Sequence, residues 1–205
     1  MPNYCNDTVK ITADKATIKK IKQSLNSKND DTGFLNVLYP MPKELAETVA
    51  DGSRREKLIK KYGHSDWYGW RTANWGTKWE VSESYSTPEI SADGETIEFG
   101  FDSAWAPPIG AYEHFLSQNK DASLFATYYE PGCDFMGIWD SGNDRSYNVG
   151  DYNSTDDFWL TEDGALLDSQ YGIVESLLEF EAEAEEDVTK YVKGKAVNME
   201  IGEEV

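Results

Sequence analysis

Three features of the sequence predict an α+β fold. Segments that alternate apolar and polar residues, as half-buried strands do, are interspersed with segments of helical periodicity. When one inserted segment is set aside, the first six predicted elements follow the order β-α-β-β-α-β. The last quarter of the chain is strongly acidic. The predicted fold is therefore a ferredoxin-like antiparallel sheet with helices on one face, an inserted loop-helix segment after the second strand, and an acidic C-terminal helix.

The N-terminal segment predicts a strand followed by a helix. The stretch "DTVKITAD" alternates apolar and polar residues, which is typical of a strand with one buried face. Asp14 can cap the next helix, because its carboxylate can accept hydrogen bonds from the first backbone N–H groups. Ile18, Ile21 and Leu25 then recur at helical spacing. The apolar run "GFLNVLYPMP" leads into the insertion, which we place at about residues 39–75.

The middle of the chain is predicted to supply most of the sheet. The stretch "STPEISADGET" contains an Asp-Gly turn signal and "TIEFGFDSAW" alternates in the strand pattern, so the two predict a hairpin. The second half of "SDWYGWRTANWGTKWEVSESYS" also has strand character. Prolines open "APPIGAYEHFLSQNKD", as they often do at the first turn of a helix. The stretch "ASLFATYYEPGCDFMGIWDSGNDRSYNVGDY" predicts a meander of three strands.

Charge divides the chain near residue 150. Residues 1–150 contain 16 Lys and Arg against 22 Asp and Glu, a net charge of −6, whereas residues 151–205 contain 3 against 16, a net charge of −13. We therefore predict a ferredoxin-like core at 1–150 and an acidic helical extension at 151–205 that packs on this core. A field of this sign repels nucleic acid and anionic membranes and attracts basic surfaces.

Four stretches of the chain together resemble a known family. They are "MPNYCNDTVKI", "LYPMPKEL", "RTANWGTKWEV" and "FDSAWAPPIGAYEHF". As a set they resemble the Api92-like or YubB family of ferredoxin-like proteins, which bacteriophages and conjugative plasmids carry. Tyr4 stands where the family pattern usually has Trp, which keeps an aromatic ring. The resemblance covers roughly residues 1–136. It implies a fold and a mobile-element origin, and it transfers no catalytic residue.

A tryptophan-rich segment is the first candidate site. The aromatic candidates, together with one lysine, are Trp70, Trp75, Lys78, Trp79 and Trp105. As a binding site, the rings could stack a base or a sugar while the lysine holds a phosphate. As structure, the rings could pack the sheet against its helices. We favour packing, with the rings of Trp75, Trp79 and Trp105 in one cluster, and expect Trp79→Ala to cost about 3–5 kcal/mol of stability.

No catalytic, cofactor or metal site is predicted. His64 and His114 have no nucleophile beside them in sequence, and the chain contains neither HxxxH nor CxxC. The acidic turn "DSGNDRSYNVGD" lacks the ligand pattern of a calcium loop. Cys5 and Cys133 are predicted to be reduced thiols. With neither a membrane-spanning run nor a signal peptide in the sequence, we expect a protein of the bacterial host's cytoplasm.

The acidic C-terminal run is the second candidate site. Its carboxylates are Glu179, Glu181, Glu183, Glu185, Glu186 and Asp187. They could simply be the solvated side of a helix, or they could form a negative surface that binds a basic protein. The leading hypothesis is a non-enzymatic phage or plasmid protein that binds a host protein, such as a nucleic-acid-binding defence enzyme, by mimicking nucleic acid. The alternatives are a ligand-binding protein or enzyme that uses Trp70–Trp79, and a phage nucleic-acid-binding module. An exposed edge strand could also mediate a homodimer.

Overall fold

A computed structural model of the chain describes residues 3–25, 27, 29–81 and 84–201, with the backbone alone from residue 188. These residues form two compact units, Met1–Val149 and Gly150–Val205. The first unit is a mixed α+β structure built on a six-stranded antiparallel sheet. None of the described helices is both long and apolar enough to cross a membrane.

The sheet of the first unit has the strand order β2-β3-β1-β4-β5-β6. The strands are β1 (Tyr4–Thr12), β2 (Glu89–Ile90), β3 (Thr96–Ala104), β4 (Ser123–Glu130), β5 (Phe135–Asp140) and β6 (Asn143–Asn148). The helices are α1 (Lys15–Ser24), α2 (Phe34–Leu38), α3 (Lys43–Ala46), α4 (Glu56–Tyr62), α5 (Trp67–Asn74) and α6 (Ile109–Gln118). Strands β4 to β6 form the meander that the sequence predicts, and β2 and β3 pair as the predicted hairpin.

Alternation along β1 explains where the core lies. Its odd-numbered residues are buried and its even-numbered residues are more exposed, so one face of the sheet carries the apolar side chains. Val9 lies between Phe99 of β3 and Ala126 of β4, and all three belong to the core. Residues of α1, α2, α5 and α6 join the same core. The helices therefore cover the face on which the odd residues of β1 lie.

Helix α1 begins as the sequence predicts. The Asp14 carboxylate accepts hydrogen bonds from the backbone N–H groups of Ala16 and Thr17, at 2.9 and 3.1 Å. This satisfies N–H groups that have no partner inside the helix. Ile18 and Ile21 are buried, because the apolar stripe of the helix faces the sheet.

The inserted segment follows the first strand rather than the second. Helices α2 to α5 all lie between α1 and β2. A short apolar run fits a strand or a helix equally well, and here "FLNVL" forms α2. The distant Glu80 carboxylate accepts hydrogen bonds from the N–H groups of Leu35 and Asn36, which fixes the first turn of this helix. Where the sequence has strand character, over residues 76–86, the described residues form one isolated bridge, from Ser84 to Phe101, and β2 begins only at Glu89.

The second unit is mainly helical where it is described. A 3₁₀ turn, Val149–Asp151, spans the boundary between the two units along the chain, and a second, Asp157–Leu160, precedes α7 (Glu162–Tyr171) and α8 (Ile173–Ile201). Gly172 joins the two helices with a φ of 64°, a left-handed conformation that glycine adopts without strain. The acidic run lies in α8. Packing of this extension on the core stays a prediction.

Candidate functional site

The structure divides the tryptophan-rich segment between core and surface. Trp70 and Trp75 are 4% and 0% exposed, and their rings make an edge contact with centroids 5.9 Å apart. Trp79 and Trp105 are 37% and 47% exposed. The expected cluster of Trp75, Trp79 and Trp105 therefore has only Trp75 in the core, so the stability cost that we expected at Trp79 belongs to Trp75.

Two cations lie against the rings of this segment. The guanidinium carbon of Arg71 is 5.2 Å from the ring centre of Trp67 and 4.7 Å from that of Trp75. One of its nitrogens donates to Asp30 Oδ2 at 2.9 Å. Lys78 Nζ lies 4.9 Å from the ring centre of Trp79. All these distances are in the range of cation–π attraction.

Trp79 borders a cleft of about 510 Å³ at the outer edge of β3, beyond the end of the short strand β2. Among the described residues, the lining consists of three aromatic rings, three carboxylates, a serine and an alanine: Tyr4, Trp79, Tyr85, Asp30, Glu80, Asp102, Ser84 and Ala104. The cleft has no Lys or Arg in this described lining. It is the candidate site, and we call it the β3-edge cleft.

Each carboxylate of the β3-edge cleft has a different environment. Glu80 accepts hydrogen bonds from the backbone N–H groups of Leu35, Asn36 and Val81, at 2.6 to 2.9 Å. Burial nevertheless raises the pKa of Glu80 to about 7, against the opposing effect of these donors and of Arg71.

Asp30 and Asp102 differ in how far their charge is already compensated. Asp30 forms the ion pair with Arg71. Asp102 Oδ1 accepts a hydrogen bond from Asn6 Nδ2 at 2.6 Å. Within the part of the chain that the structure describes, Asp102 Oδ2 has no hydrogen-bond donor. Asp102 is therefore the carboxylate best placed to bind a ligand.

The hydroxyl groups of the cleft also present oxygen lone pairs. Tyr85 donates its proton to the backbone oxygen of Asp7 at 2.9 Å. Ser84 Oγ lies within hydrogen-bond distance of the backbone oxygens of Gly100 and Ser86, and its single proton bonds one of them at a time. Each hydroxyl has only one proton, so both oxygens keep lone pairs that can accept, and Tyr85 Oη also lies 3.3 Å from Thr8 Oγ1. Acceptors therefore outnumber the donors of this described lining, which are the Tyr4 hydroxyl and the Trp79 indole N–H, so the cleft favours a ligand that brings donors.

A buried carboxyl lies near the cleft without opening into it. Ser103 Oγ is 2.5 Å from Asp7 Oδ2 and 2.9 Å from the backbone oxygen of Ala106. One hydroxyl proton cannot serve two acceptors, so a protonated Asp7 satisfies both contacts. Burial raises the pKa of Asp7, which agrees with a neutral carboxyl. Burial also raises the pKa of the neighbouring Cys5 thiol, which opposes formation of a reactive thiolate.

The histidines and cysteines form no further site among the described residues. The His114 ring stacks on Tyr39 with centroids 3.6 Å apart, and burial lowers its pKa. Cys5 and Cys133 are both free. Over the described residues, no three side chains of the types His, Cys, Asp and Glu form a group that could hold a metal ion.

The acidic run of α8 is exposed, with one exception. Glu179, Glu183, Glu185, Glu186 and Asp187 are exposed. Glu181 is half-buried, and its carboxylate accepts hydrogen bonds from the backbone N–H and the hydroxyl of Ser154, at 2.9 and 2.5 Å. These bonds lower the pKa of Glu181. Glu181 thus already has a structural role within the second unit.

The sequence indicates only part of the β3-edge cleft. Its tryptophans draw attention to Trp79, and the family resemblance to the ring of Tyr4, but no pattern marks Asp30, Glu80 and Asp102 as lining groups. Asp102 does carry a signal, because alternation along β3 places it on the face opposite Phe101. Nothing in the sequence joins it to residues far away along the chain.

Comparisons with known proteins give one weak likeness. No family model and no curated protein matches the chain. Its structure is similar to the crystal structure of a protein Api92 from Yersinia pseudotuberculosis, described by the family model DUF1281. The two share 11% sequence identity with a TM-score of 0.38, over 72% of this chain and 99% of the Yersinia chain.

Proposed function

We propose that this protein is a non-enzymatic accessory protein of a phage or plasmid, that it acts in the cytoplasm of the bacterial host, and that its acidic helix binds a basic host protein. A ferredoxin-like core is part of this proposal. Support for the core comes from the strand order β2-β3-β1-β4 and from the helices that connect β1 to β2 and β3 to β4.

The exposed carboxylate stripe of α8 carries the proposal. Glu175, Glu179, Glu183 and Glu186 are exposed and are spaced by four, four and three residues, which aligns them along one side of the helix. The buried Ile173 lies on the other side. Glu185 and Asp187 add exposed charge beside the stripe. Such a surface attracts basic proteins and steers their approach.

The charge density of this helix is comparable to that of nucleic acid. The twelve-residue step from Glu175 to Asp187 rises about 18 Å at about 1.5 Å per residue and carries seven carboxylates. One charge per about 2.6 Å lies between the value of about 3.4 Å for one DNA strand and about 1.7 Å for the duplex. This density supports mimicry of nucleic acid, directed at a host defence enzyme that binds DNA or RNA.

Apolar side chains beside the stripe would add binding energy that charge alone does not supply. Leu178 and Phe180 are 52% and 70% exposed. Removing apolar surface from water contributes about 25 cal/mol per Å². Charges around an apolar contact set its orientation and its rate of association more than its strength.

The test is capture of host proteins on the immobilised full-length protein. The acidic variant changes four carboxylates while Glu181 stays in place: Glu179→Gln, Glu183→Gln, Glu185→Gln and Asp187→Asn. A control variant makes the same charge change on exposed residues of the first unit: Glu95→Gln, Glu113→Gln, Asp121→Asn and Asp140→Asn.

We expect a nucleic-acid-binding protein that the wild type and the control variant retain and the acidic variant does not. Duplex DNA should compete for it, and the affinity should fall steeply as salt rises. Equal retention by both variants, or an affinity that is independent of salt, would refute binding through the acidic helix.

A second candidate function is binding of a ligand at the tryptophan-rich segment. The observation that favours it is the β3-edge cleft, into which Trp79 is exposed. The acidic lining disfavours the third hypothesis, a nucleic-acid-binding module, because phosphates would meet carboxylates there.

A further inference from the structure

The β3-edge cleft combines two features that together select a cation. Its described polar lining consists mainly of acceptors, which are the carboxylates of Asp30, Glu80 and Asp102 and the hydroxyl oxygens of Ser84 and Tyr85. The donors in the same lining are the Tyr4 hydroxyl and the Trp79 indole N–H. The remaining walls include the exposed rings of Tyr4, Trp79 and Tyr85. Acceptors attract hydrogen-bond donors, and the faces of aromatic rings attract positive charge.

Among biological cations, a guanidinium group matches this lining best. It is planar and stacks on aromatic rings, whereas an ammonium is a compact and strongly hydrated charge. It carries five N–H donors in a fork that can bond both oxygens of a carboxylate. Asp102 offers such a carboxylate. Among the described residues, its Oδ2 has no hydrogen-bond donor and its Oδ1 accepts a hydrogen bond from Asn6 alone.

The chain itself provides an example of this chemistry at the same cleft. The guanidinium of Arg71 lies over the rings of Trp67 and Trp75 and donates to Asp30, which is one of the lining residues. Arg71 is 5% exposed, so this arrangement places the guanidinium in a largely buried setting. Ring faces and a carboxylate thus already hold one guanidinium beside the cleft.

We propose that the β3-edge cleft binds a guanidinium group, carried either by a small molecule or by an arginine side chain of a peptide. Asp102 accepts its N–H donors, and Trp79 stacks against its plane. The volume of about 510 Å³ admits either source, because ligand pockets typically enclose about 300–1,000 Å³. The site lies entirely in the first unit and does not depend on the acidic helix.

The test follows the indole N–H resonance of Trp79 in nitrogen–proton correlation spectra of the full-length protein. The resonance is assigned by its loss in Trp79→Phe. Four probes are titrated: N-acetyl-arginine methylamide, its neutral analogue with citrulline, its ammonium analogue with lysine, and ethylguanidinium. The citrulline compound has nearly the shape of the arginine compound without its charge, and the lysine compound has a charge without the planar fork.

We expect saturable shifts with the arginine compound, weaker binding of the lysine compound, and none with the citrulline compound. Ethylguanidinium that binds as tightly as the arginine compound would identify a small molecule as the natural source. Tighter binding of the arginine compound would identify a peptide. Equal binding of the citrulline or the lysine compound would overturn the proposal, as would the absence of any saturable shift.

Two variants with the same change of charge locate the site. Asp102→Asn retains the oxygen that accepts from Asn6 and should weaken binding by about tenfold or more, since hydrogen bonds to charged groups are the stronger ones. Glu98→Gln is the control, because it removes an exposed carboxylate from the same strand outside the cleft lining. Equal affinity of the two variants would overturn the role of Asp102. The comparison of probes on the wild type stands even if a variant folds poorly.

Discussion

Glu80 sets two physical effects against each other, and stability as a function of pH decides between them. Three backbone N–H donors and Arg71 favour the ionised carboxylate, whereas burial disfavours it. Burial is the larger effect and raises the pKa of Glu80 from 4.5 to about 7. For an acid, a raised pKa in the folded state means that the folded protein binds more protons than the unfolded chain. Its contribution to stability is therefore present below pH 4.5 and is lost as pH rises through 7.

The size of the effect follows from the two pKa values. Their difference of about 2.5 corresponds to about 3.4 kcal/mol, at about 1.36 kcal/mol per pKa unit. Part of this loss occurs below pH 5. Between pH 5 and pH 8, the contribution of Glu80 to the free energy of unfolding therefore falls by about 2.5 kcal/mol. Such a change is a large fraction of the stability of a typical domain, which is about 5–15 kcal/mol.

Urea unfolding of the wild type and of Glu80→Gln, from pH 5 to pH 8, measures this contribution. Asp7 and His114 also titrate, but they are present in both proteins and cancel in the difference. We expect the free energy of unfolding of the wild type, minus that of the variant, to fall by about 2.5 kcal/mol over this range. Glu95→Gln, at an exposed position, serves as the control. A difference that rises with pH would show that the N–H donors outweigh burial, and a flat difference would show that the pKa is unchanged.

The other predictions concern packing. Trp75→Ala should lower the free energy of unfolding by about 3–5 kcal/mol, whereas Trp79→Ala should cost clearly less, because Trp79 is 37% exposed and Trp75 is fully buried; equal costs in chemical denaturation would contradict this. Gly110→Ala should destabilise by about 1–3 kcal/mol, because its methyl group would lie 2.3 Å from the backbone oxygen of Asn74. Gly69→Ala, also in a helix, has ordinary contact distances of 3.6 Å and should be neutral or stabilise by up to about 1 kcal/mol; melting curves that rank the two glycine variants the other way would refute this.

The elements that the sequence predicted well have local causes. Strand β1 and helix α1 are examples, since alternation, helical spacing and the Asp14 cap all lie within a few residues of one another. Helix α2 had no such signal. Its five residues, four of them apolar, fit either kind of element. The carboxylate that fixes its first turn comes from Glu80, more than forty positions away along the chain.

The same distinction holds for the candidate site. The sequence drew attention to Trp79 because tryptophan is rare and several lie together there. It could not separate Trp79 from Trp75, although one is half-exposed and the other is buried. The exposure of a side chain depends on which elements pack over it. These elements come from distant parts of the chain, and the spacing of residues in the sequence does not show that they meet.

By itself, the sequence determined the α+β class, the meander, the first helix and the concentration of acid near the C-terminus. These follow from composition and from periodicity, which act between neighbouring residues. Only the tertiary structure decided that Glu181 bonds to Ser154 while its neighbours face solvent. It also decided that Tyr4, Asp30, Trp79 and Asp102 border one cleft. The physical reason is that tertiary folding forms a site of this kind. Folding brings together side chains that lie far apart along the sequence at no regular spacing.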